Sequence, residues 1–449
     1  DNVIFLFTHG YHDSLKRLKV VLKKRYQDAL SQGKLFISLT INHQGLAHMS
    51  YFSAIELAPR DPILGLNELY NADINPAKVN LGVGVYLDDN GKLPLLACVR
   101  EAEKTILEAP KPRGYLPIDG VAAYNAGVKA LLFGAASDAM IHNRVATVQT
   151  LGGTGALKIG ADFLKRMVNP NAVVYISDPS WENHRALFTA AGFTVDTYPY
   201  FDAAKNGVNF EGMLAKIKAA AKGSIILLHA CCHNPTGYDI SSEEWDEVVK
   251  ACQQNELIPF LDMAYQGFKH GIEEDRGVIT KFVNAGLSFL VSSSFSKNFS
   301  LYGERVGALS VVCASKEEAG RVLSQVKIVI RTNYSNPPTH GAQMVASVLN
   351  NEALLNKWHQ EVSEMRIRIK AMRHQLVDGL KAAGVDKDMS FITHQVGMFS
   401  YSGLTKEQMQ RLRADFGIYG TDAGRLNVAG LNSKSIGYVC EAIAVVMKK

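Results

Sequence analysis

The chain has 449 residues, 47% apolar and 20% charged, the balance of an ordinary folded protein and not of a disordered, collagen-like or low-complexity chain. Forty-eight Lys and Arg against 43 Asp and Glu leave a net charge of +5, which argues against nucleic acid, where basic residues cluster on one face. It suits small anionic molecules if a few arginines converge. No apolar run approaches the roughly 18 residues of a membrane span, so no membrane partner is expected. Six scattered cysteines, Cys98, Cys231, Cys232, Cys252, Cys313 and Cys440, make neither a disulfide framework nor a zinc knuckle, and a reducing, cytoplasmic setting is expected.

Residues 1–48 differ from the rest, with seven Lys and Arg against three Asp. Leu15, Leu18, Leu22, Tyr26 and Ala29 recur at helical spacing among basic residues. A targeting presequence is also basic and amphipathic. This stretch is not rich in Arg and Ser and holds no cleavage-like site, which favours an extension with one surface helix. One helix is too little for a helix-turn-helix. Met49 opens a segment of different character and is a candidate natural start.

From Val145 onward, short apolar runs alternate with amphipathic stretches. Strands are predicted at Val145–Thr150, Val173–Asp178, Ser224–His233, Ile258–Asp262, Phe289–Ser294 and Val306–Val312. They are apolar almost throughout, so both sheet faces should be covered. Helices are predicted between them, as at Gly155–Met167 and Ser242–Gln254. The pattern is that of an α/β protein with a mostly parallel sheet. Residues 352–383 step by three or four through Trp358, Val362, Met365, Ile369, Met372, Leu376 and Leu380, with Gly384 to end them. About 30 helical residues span roughly 45 Å, enough to bridge a large domain to a small α+β one made from residues 385–449.

In open α/β sheets, ligands bind beyond the carboxyl ends of the strands. Gly152-Gly153-Thr154-Gly155 follows the first predicted strand and opens a helix. Free N–H groups there suit a phosphate, although a tight structural turn is the alternative. The G-x-G-x-x-G dinucleotide spacing is absent. Asp262 ends one strand, as a pocket carboxylate in need of a cationic partner or as a helix cap. Ser294-Phe295-Ser296-Lys297 ends the next, with Arg305 eight residues on. A desolvated lysine can form a Schiff base, with a solvated surface lysine as the usual alternative; the hydroxyls and arginine around it are what a phosphate wants, which favours the first. Asn234-Pro235 marks a turn in which a cis bond is permitted. Cys231, Cys232 and His233 should alternate faces along a strand and so cannot share an ion. No metal site is expected. Together these features specify a phosphate cradle, an acid for a ring nitrogen and an amine for an aldehyde, the three needs of pyridoxal 5′-phosphate.

At these residues the chain resembles the aspartate/aromatic amino-acid aminotransferases, fold-type I pyridoxal-phosphate enzymes. The likeness runs from Asp61-Pro62-Ile63-Leu64-Gly65-Leu66 to the C-terminus. It implies a large cofactor-binding domain over residues 94–364 and a smaller domain from residues 49–93 and 365–449, with 1–48 outside the family. By this resemblance Lys297 carries the cofactor and shuttles a proton, and Asp262 partners the pyridinium nitrogen. Asn234 and Tyr265 donate to the phenolic oxygen, and Trp181, in Asp178-Pro179-Ser180-Trp181-Glu182-Asn183-His184, stacks on the ring. Gly153, Thr154, Ser294, Ser296 and Arg305 match the phosphate site, with Tyr115 reaching the phosphate of the other subunit. Arg425 matches the clamp on the substrate α-carboxylate, with Gly84 beside it. Arg331 matches the binder of a side-chain carboxylate from the neighbouring subunit. The implied assembly is a homodimer with shared active sites.

The implied activity is transfer of an amino group to 2-oxoglutarate, with pyridoxal and pyridoxamine forms alternating in a ping-pong cycle. Arg331 argues for aspartate or glutamate as donor. Phe299-Ser300-Leu301-Tyr302-Gly303, Gly397-Met398-Phe399-Ser400-Tyr401 and Cys231-Cys232-His233-Asn234 lean to the aromatic branch. A broad enzyme using tyrosine, phenylalanine and aspartate is therefore expected, with a strict aspartate aminotransferase as the alternative. Another pyridoxal-phosphate reaction and a cofactor-sensing regulator are weaker readings. Two carboxylate-binding arginines favour chemistry that keeps the α-carboxylate, and 48 residues with one helix fall short of a DNA-binding module.

Overall fold

The computed structural model describes residues 39–41, 47–49, 51–59, 61 and 63–448. The helix predicted over Leu15–Ala29 lies outside the described residues. The chain divides into two units, Asp1–Arg60 and Asp61–Lys449. In the first, Leu39–Ile41 pairs antiparallel with Ala47–Met49. The second holds everything that follows. Among the described residues no helix is long and apolar enough to cross a membrane.

Seven strands form the central sheet: β1 (Val145–Leu151), β2 (Val173–Asp178), β3 (Thr194–Pro199), β4 (Ile225–His229), β5 (Ile258–Met263), β6 (Phe289–Ser294) and β7 (Val306–Val312). Their order is β1-β7-β6-β5-β4-β2-β3. Only β7 runs against its neighbours, β6 and β1. The other pairings are parallel, so the sheet is mostly parallel as expected. Alternate residues feed two cores: Ile226, Leu228, Leu261 and Val291 face one, and Ile225, Leu227, Phe260 and Leu290 face the other. Each such side chain, fully buried, contributes roughly 1.5–3 kcal/mol. This two-sided burial is why the strands read as unbroken apolar runs.

Two strand predictions are corrected. β3 went unread because it is a half-exposed edge strand with Asp196 and Thr197 in its middle. The run Ser224–His233 overshoots, since β4 ends at His229. Beyond it the Asp239 carboxylate accepts the N–H groups of Cys232 and His233 at 2.9 Å each, drawing the chain into a turn with Cys232 at φ +54. Cys231 and His233 therefore do not sit on a strand at all. Cys231 Sγ faces Met263 and the Tyr265 carbonyl. The His233 ring lies 2.8 Å from both Ser177 and Thr236.

Helices α1 (Gly152–Phe163), α2 (Glu182–Ala190), α3 (Ser242–Gln254), α4 (Lys316–Asn333) and α5 (Glu352–Ala382) matter most for the site. α1 starts three residues earlier than predicted, and its last turn widens into a π-helix over Leu164–Val168. α5 is 31 residues long, and Gly384 follows it at φ +82. Its first half places Trp358, Val362, Met365 and Ile369 in the core on one face of the sheet. Its second half places Met372, Leu376 and Leu380 in a separate core with Leu412, Ile418, Val439 and Ile443. That second core includes Leu81 and carries two small strand pairings, Phe399–Tyr401 with Arg425–Asn427 and Val79–Asn80 with Ile418–Tyr419.

Candidate active site

The carboxyl edge of the sheet collects the chemistry. β1 turns into α1 at Gly152, whose φ of +67 and crowding require glycine: a Cβ there would sit 2.6 Å from Arg305 Nη2. Gly153 is also tightly packed, with its Cβ position 3.1 Å from that of Ser294. The N-terminus of α1, carrying Gly153 and Thr154, thus meets the end of β6 and Arg305. Arg305 adopts a left-handed backbone (φ +54) and donates from Nη1 to Ser296 Oγ at 3.4 Å and to the Tyr302 carbonyl at 3.1 Å. The Ser296 N–H donates to Ser294 Oγ at 3.3 Å. Helix amides, two buried hydroxyls and a guanidinium with free donors make an anion cradle.

Asp262, near the end of β5, is 6% exposed. Its Oδ2 accepts a 2.8 Å hydrogen bond from His184 Nε2, and His184 Nδ1 lies 2.9 Å from Ser180 Oγ. Burial opposes ionisation of Asp262. The His184 hydrogen bond, with the nearby Lys297, outweighs it and holds the carboxyl below its usual range. Trp181 stands edge-on to His184 at 5.2 Å, and the His229 ring lies 5.0 Å from His184. Burial and then His184 push the His229 imidazole down to about 3, so it is neutral. Its Nε2 has no hydrogen-bond partner. The ligand atoms of His184, His229 and Asp262 lie within 4.8 Å of one another, close enough to hold a metal ion. Both nitrogens of His184 are already engaged, which makes the group a polar relay behind Asp262.

The Lys297 Nζ sits 5.1 Å from the centre of the Tyr265 ring. Burial pushes the amine down to about 8; Asp262 holds it up, while Arg305 and Arg425 press it further down. Burial raises the Tyr265 phenol, which stays protonated. Arg425 is 2% exposed. It donates from Nη1 to Asn234 Oδ1 at 3.0 Å and from Nη2 to the Gly82 carbonyl at 2.7 Å. Its guanidinium stands 4.2 Å over the Phe399 ring, and its Nε is buried without a partner. Among the described residues no carboxylate forms an ion pair with it, so a buried cation is left ready for an anionic ligand. Gly84 abuts the same ring: its Cβ would come 2.7 Å from Phe399 Cζ.

Gly153, Thr154, Ser294, Ser296 and Arg305 thus form one cluster, Asp262 and Trp181 flank His184, and Lys297, Tyr265, Asn234, Arg425 and Gly84 form a third group. Tyr115 and Arg331 stand apart from these. Tyr115 is 95% exposed. Arg331 is exposed on α4, hydrogen-bonded to Ser335. It lines a groove of about 470 Å³ with Ile118, Lys327 and Ile328. Sequence reasoning missed His184, His229 and Phe399. The signals were on hand: His184 ends the same motif as Trp181, and Phe399 lies in the segment read only for its aromatic lean.

A mostly parallel sheet with a phosphate-type cradle, a buried acid and a buried amine at its carboxyl edge defines a cofactor-dependent group-transfer enzyme. Residues 76–443 match the family described as aminotransferase class I and II. The chain is 59% identical to an aspartate aminotransferase from Pseudomonas aeruginosa over 399 residues, 89% of this chain and all of that one. It is 51% identical to an aromatic-amino-acid aminotransferase from Escherichia coli, over 88% of this chain and all of that one. The crystal structure of an aromatic-amino-acid aminotransferase from Burkholderia pseudomallei covalently bound to pyridoxal phosphate superposes with a TM-score of 0.87 at 61% identity. It covers 89% of this chain and all of that one. The chain belongs to the class I and II aminotransferases, with the α/β fold of the fold-type I enzymes, and is a pyridoxal phosphate-dependent enzyme.

Proposed function

We propose that the enzyme moves the amino group of an aromatic or acidic amino acid (tyrosine, phenylalanine or aspartate) to 2-oxoglutarate in two half-reactions. The observation that carries this reading is the buried Arg425, without an ion-pair partner among the described residues, on its Phe399 shelf, with the Tyr265 ring 6.1 Å from that shelf and Lys297 beside Tyr265. A site so built takes a carboxylate that stays on the substrate. The cofactor's fit is supported by the glycine cradle, which a Cβ at Gly152 would fill, and by the donor set: helix amides, serines and Arg305 for a phosphate, Asp262 for a basic nitrogen and Lys297 for an aldehyde.

When bound, pyridoxal phosphate supplies an aldehyde for the amino group and a cationic ring that draws electrons from the substrate Cα–H bond. The chain's own residues do the rest. Gly153, Thr154, Ser294, Ser296 and Arg305 bind the phosphate. The Asp262 carboxylate, backed by His184, keeps a proton on the ring nitrogen. An opposed charge pair at ~4 Å is worth on the order of 4 kcal/mol at an effective dielectric of 20. Tyr265 and Asn234 donate to the phenolic oxygen, and the raised phenol keeps that donor protonated. Trp181 would stack on the ring. Lys297 Nζ carries the cofactor and then takes and returns the substrate Cα proton, a task suited to an amine brought near neutrality. Arg425 orients the α-carboxylate, with the Gly84 backbone beside it.

The exposure of Tyr115 and Arg331 supports a homodimer in which each reaches the other subunit's site, Tyr115 to the phosphate and Arg331 to a side-chain carboxylate. Residues 94–364 form the large domain in this reading, and 49–93 with 365–449 the small one, in line with the separate core around Leu376 and Ile443. Six buried free cysteines support a cytoplasmic location. The 59% identity to an aspartate aminotransferase keeps a strict aspartate enzyme as the second reading. Paired kcat/KM values for aspartate and phenylalanine with 2-oxoglutarate decide between them. A preference for aspartate above about a thousandfold, ~4 kcal/mol, overturns the dual reading.

A further inference from the structure

Two loops leave neighbouring parallel strands side by side. β4 runs into Ala230–Gly237, which carries Asn234, and β5 runs into Ala264–Gly271, which carries Tyr265; Asp262 stands opposite His229 in the ladder between them. Past the strand ends no ladder holds the loops: Arg366 Nη1 donates to the Gly267 carbonyl at 2.8 Å, Asn298 Nδ2 to the Gln266 carbonyl at 3.1 Å, Cys231 Sγ lies 3.6 Å from the Tyr265 carbonyl, and two buried carboxylates take the backbone N–H groups. Asp239 takes the N–H groups of Cys232 and His233, both at 2.9 Å. Asp275, 4% exposed, takes those of Gly267 at 2.8 Å, Lys269 at 3.1 Å and His270 at 2.9 Å. Lys269 then joins the two systems. Its backbone is fixed by Asp275, and its Nζ lies 3.1 Å from Asp239 Oδ2, with the two side chains 19% and 7% exposed.

We infer that the Asp239–Lys269 ion pair is a positioning clamp that sets the spacing between Asn234 and Tyr265, and with it the hydrogen bonds offered to the cofactor's phenolic oxygen. Neither residue touches substrate or cofactor. The clamp rests on the roles proposed above for Asn234 and Tyr265. A largely buried charge pair so placed has one geometry, because Asp239 is already tied to two backbone donors and cannot follow a wandering lysine. Burial works against the charge on Lys269, and Asp239 outweighs it, so the ammonium persists. Other titratable groups facing the pair are Asp275, Tyr200, whose phenol burial and then Asp239 push up, and two thiols held protonated: Cys231 by its hydrogen bond with Cys232 and then by burial, Cys232 by burial.

The test uses the enzyme reconstituted with pyridoxal phosphate and compares wild type with Lys269→Met, Lys269→Arg, Tyr265→Phe and the Lys269→Met/Tyr265→Phe pair. Three quantities are read: the pH midpoint at which the visible absorbance of the bound cofactor changes, kcat/KM for aspartate, and the thermal midpoint. Lys269→Met should move the spectral midpoint by at least about half a pH unit, roughly a threefold change in proton affinity. It should also lower kcat/KM about tenfold. Lys269→Arg should restore both. In the Tyr265→Phe background Lys269→Met should shift the midpoint by less, because part of the clamp's effect passes through that hydroxyl and the rest through Asn234. A role in folding alone would lower the thermal midpoint and leave the spectral one in place, which would overturn the inference. So would an equal shift in the Tyr265→Phe background. Lys269→Gln, which keeps a neutral donor, serves if the Met variant does not fold, and should show a smaller shift of the same sign; an unmoved midpoint there also counts against the clamp. Wild-type protein that binds no pyridoxal phosphate would sink the underlying reading, a failure distinct from an unmoved midpoint.

Discussion

Replacing Gly84 by alanine tests the carboxylate clamp through its geometry. The new methyl would come 2.7 Å from Phe399 Cζ and 3.3 Å from Cε1. The ring has little room to retreat. Phe399 is 3% exposed, its carbonyl accepts from Arg373 Nη2 at 2.6 Å, and its face carries the Arg425 guanidinium at 4.2 Å. Arg373 is itself fully buried and also holds the Gly397 carbonyl at 2.8 Å. Overpacking of this kind costs about 1–3 kcal/mol. If that cost falls on the shelf under Arg425, kcat/KM drops about 5- to 150-fold. Because every substrate presents the same α-carboxylate, aspartate, phenylalanine and 2-oxoglutarate should lose by similar factors in half-reaction kinetics. Phe399→Leu in the Gly84→Ala background should recover part of the loss by making space. Activity within twofold of wild type, or a loss confined to one substrate, would refute the reasoning.

Lys297→Ala should keep binding the cofactor yet lose turnover by many orders of magnitude; turnover within tenfold of wild type would contradict its role as proton carrier. Arg331→Ala should harm aspartate far more than phenylalanine, and equal losses in paired kcat/KM would remove it from the side-chain site. Stability should fall in acid. His229 binds its proton at about 3 in the folded chain against 6.5 in the open chain, so between those values the unfolded state holds more protons. Stability is then fully present above 6.5 and lost as pH falls, at up to about 1.4 kcal/mol per pH unit from this group. Urea unfolding at pH 6.5 and pH 5 measures the slope, and His229→Gln should flatten it; an unchanged slope would show that this imidazole is not the cause.

Five of the six predicted strands hold to within a residue, because each is buried on both faces and reads as an apolar run. β3 escaped since most of its residues are only half-buried or exposed, so no apolar run shows. The end of β4 escaped for another reason: a carboxylate six or seven residues downstream, Asp239, unpicks the ladder, and no local pattern reveals that. The strand-end residues Asp262, Ser294 and Lys297 were legible because topology alone sends them to one edge. His184 and His229 were not, since a partner placed behind a carboxylate depends on which other elements fold beside it: His184 comes from α2, and the His229 ring, 5.0 Å from it, from β4. Phe399 is a similar case. A shelf for Arg425 is visible only once Phe399–Tyr401 pairs with Arg425–Asn427.

Everything in this account turns on Lys297 as the covalent anchor of the cofactor. Borohydride reduction of the enzyme loaded with pyridoxal phosphate, followed by peptide mass spectrometry, tests that directly. The expected result is a single pyridoxyl-phosphate adduct on the peptide holding Lys297, absent from Lys297→Ala. An adduct on another lysine, or none, would contradict it.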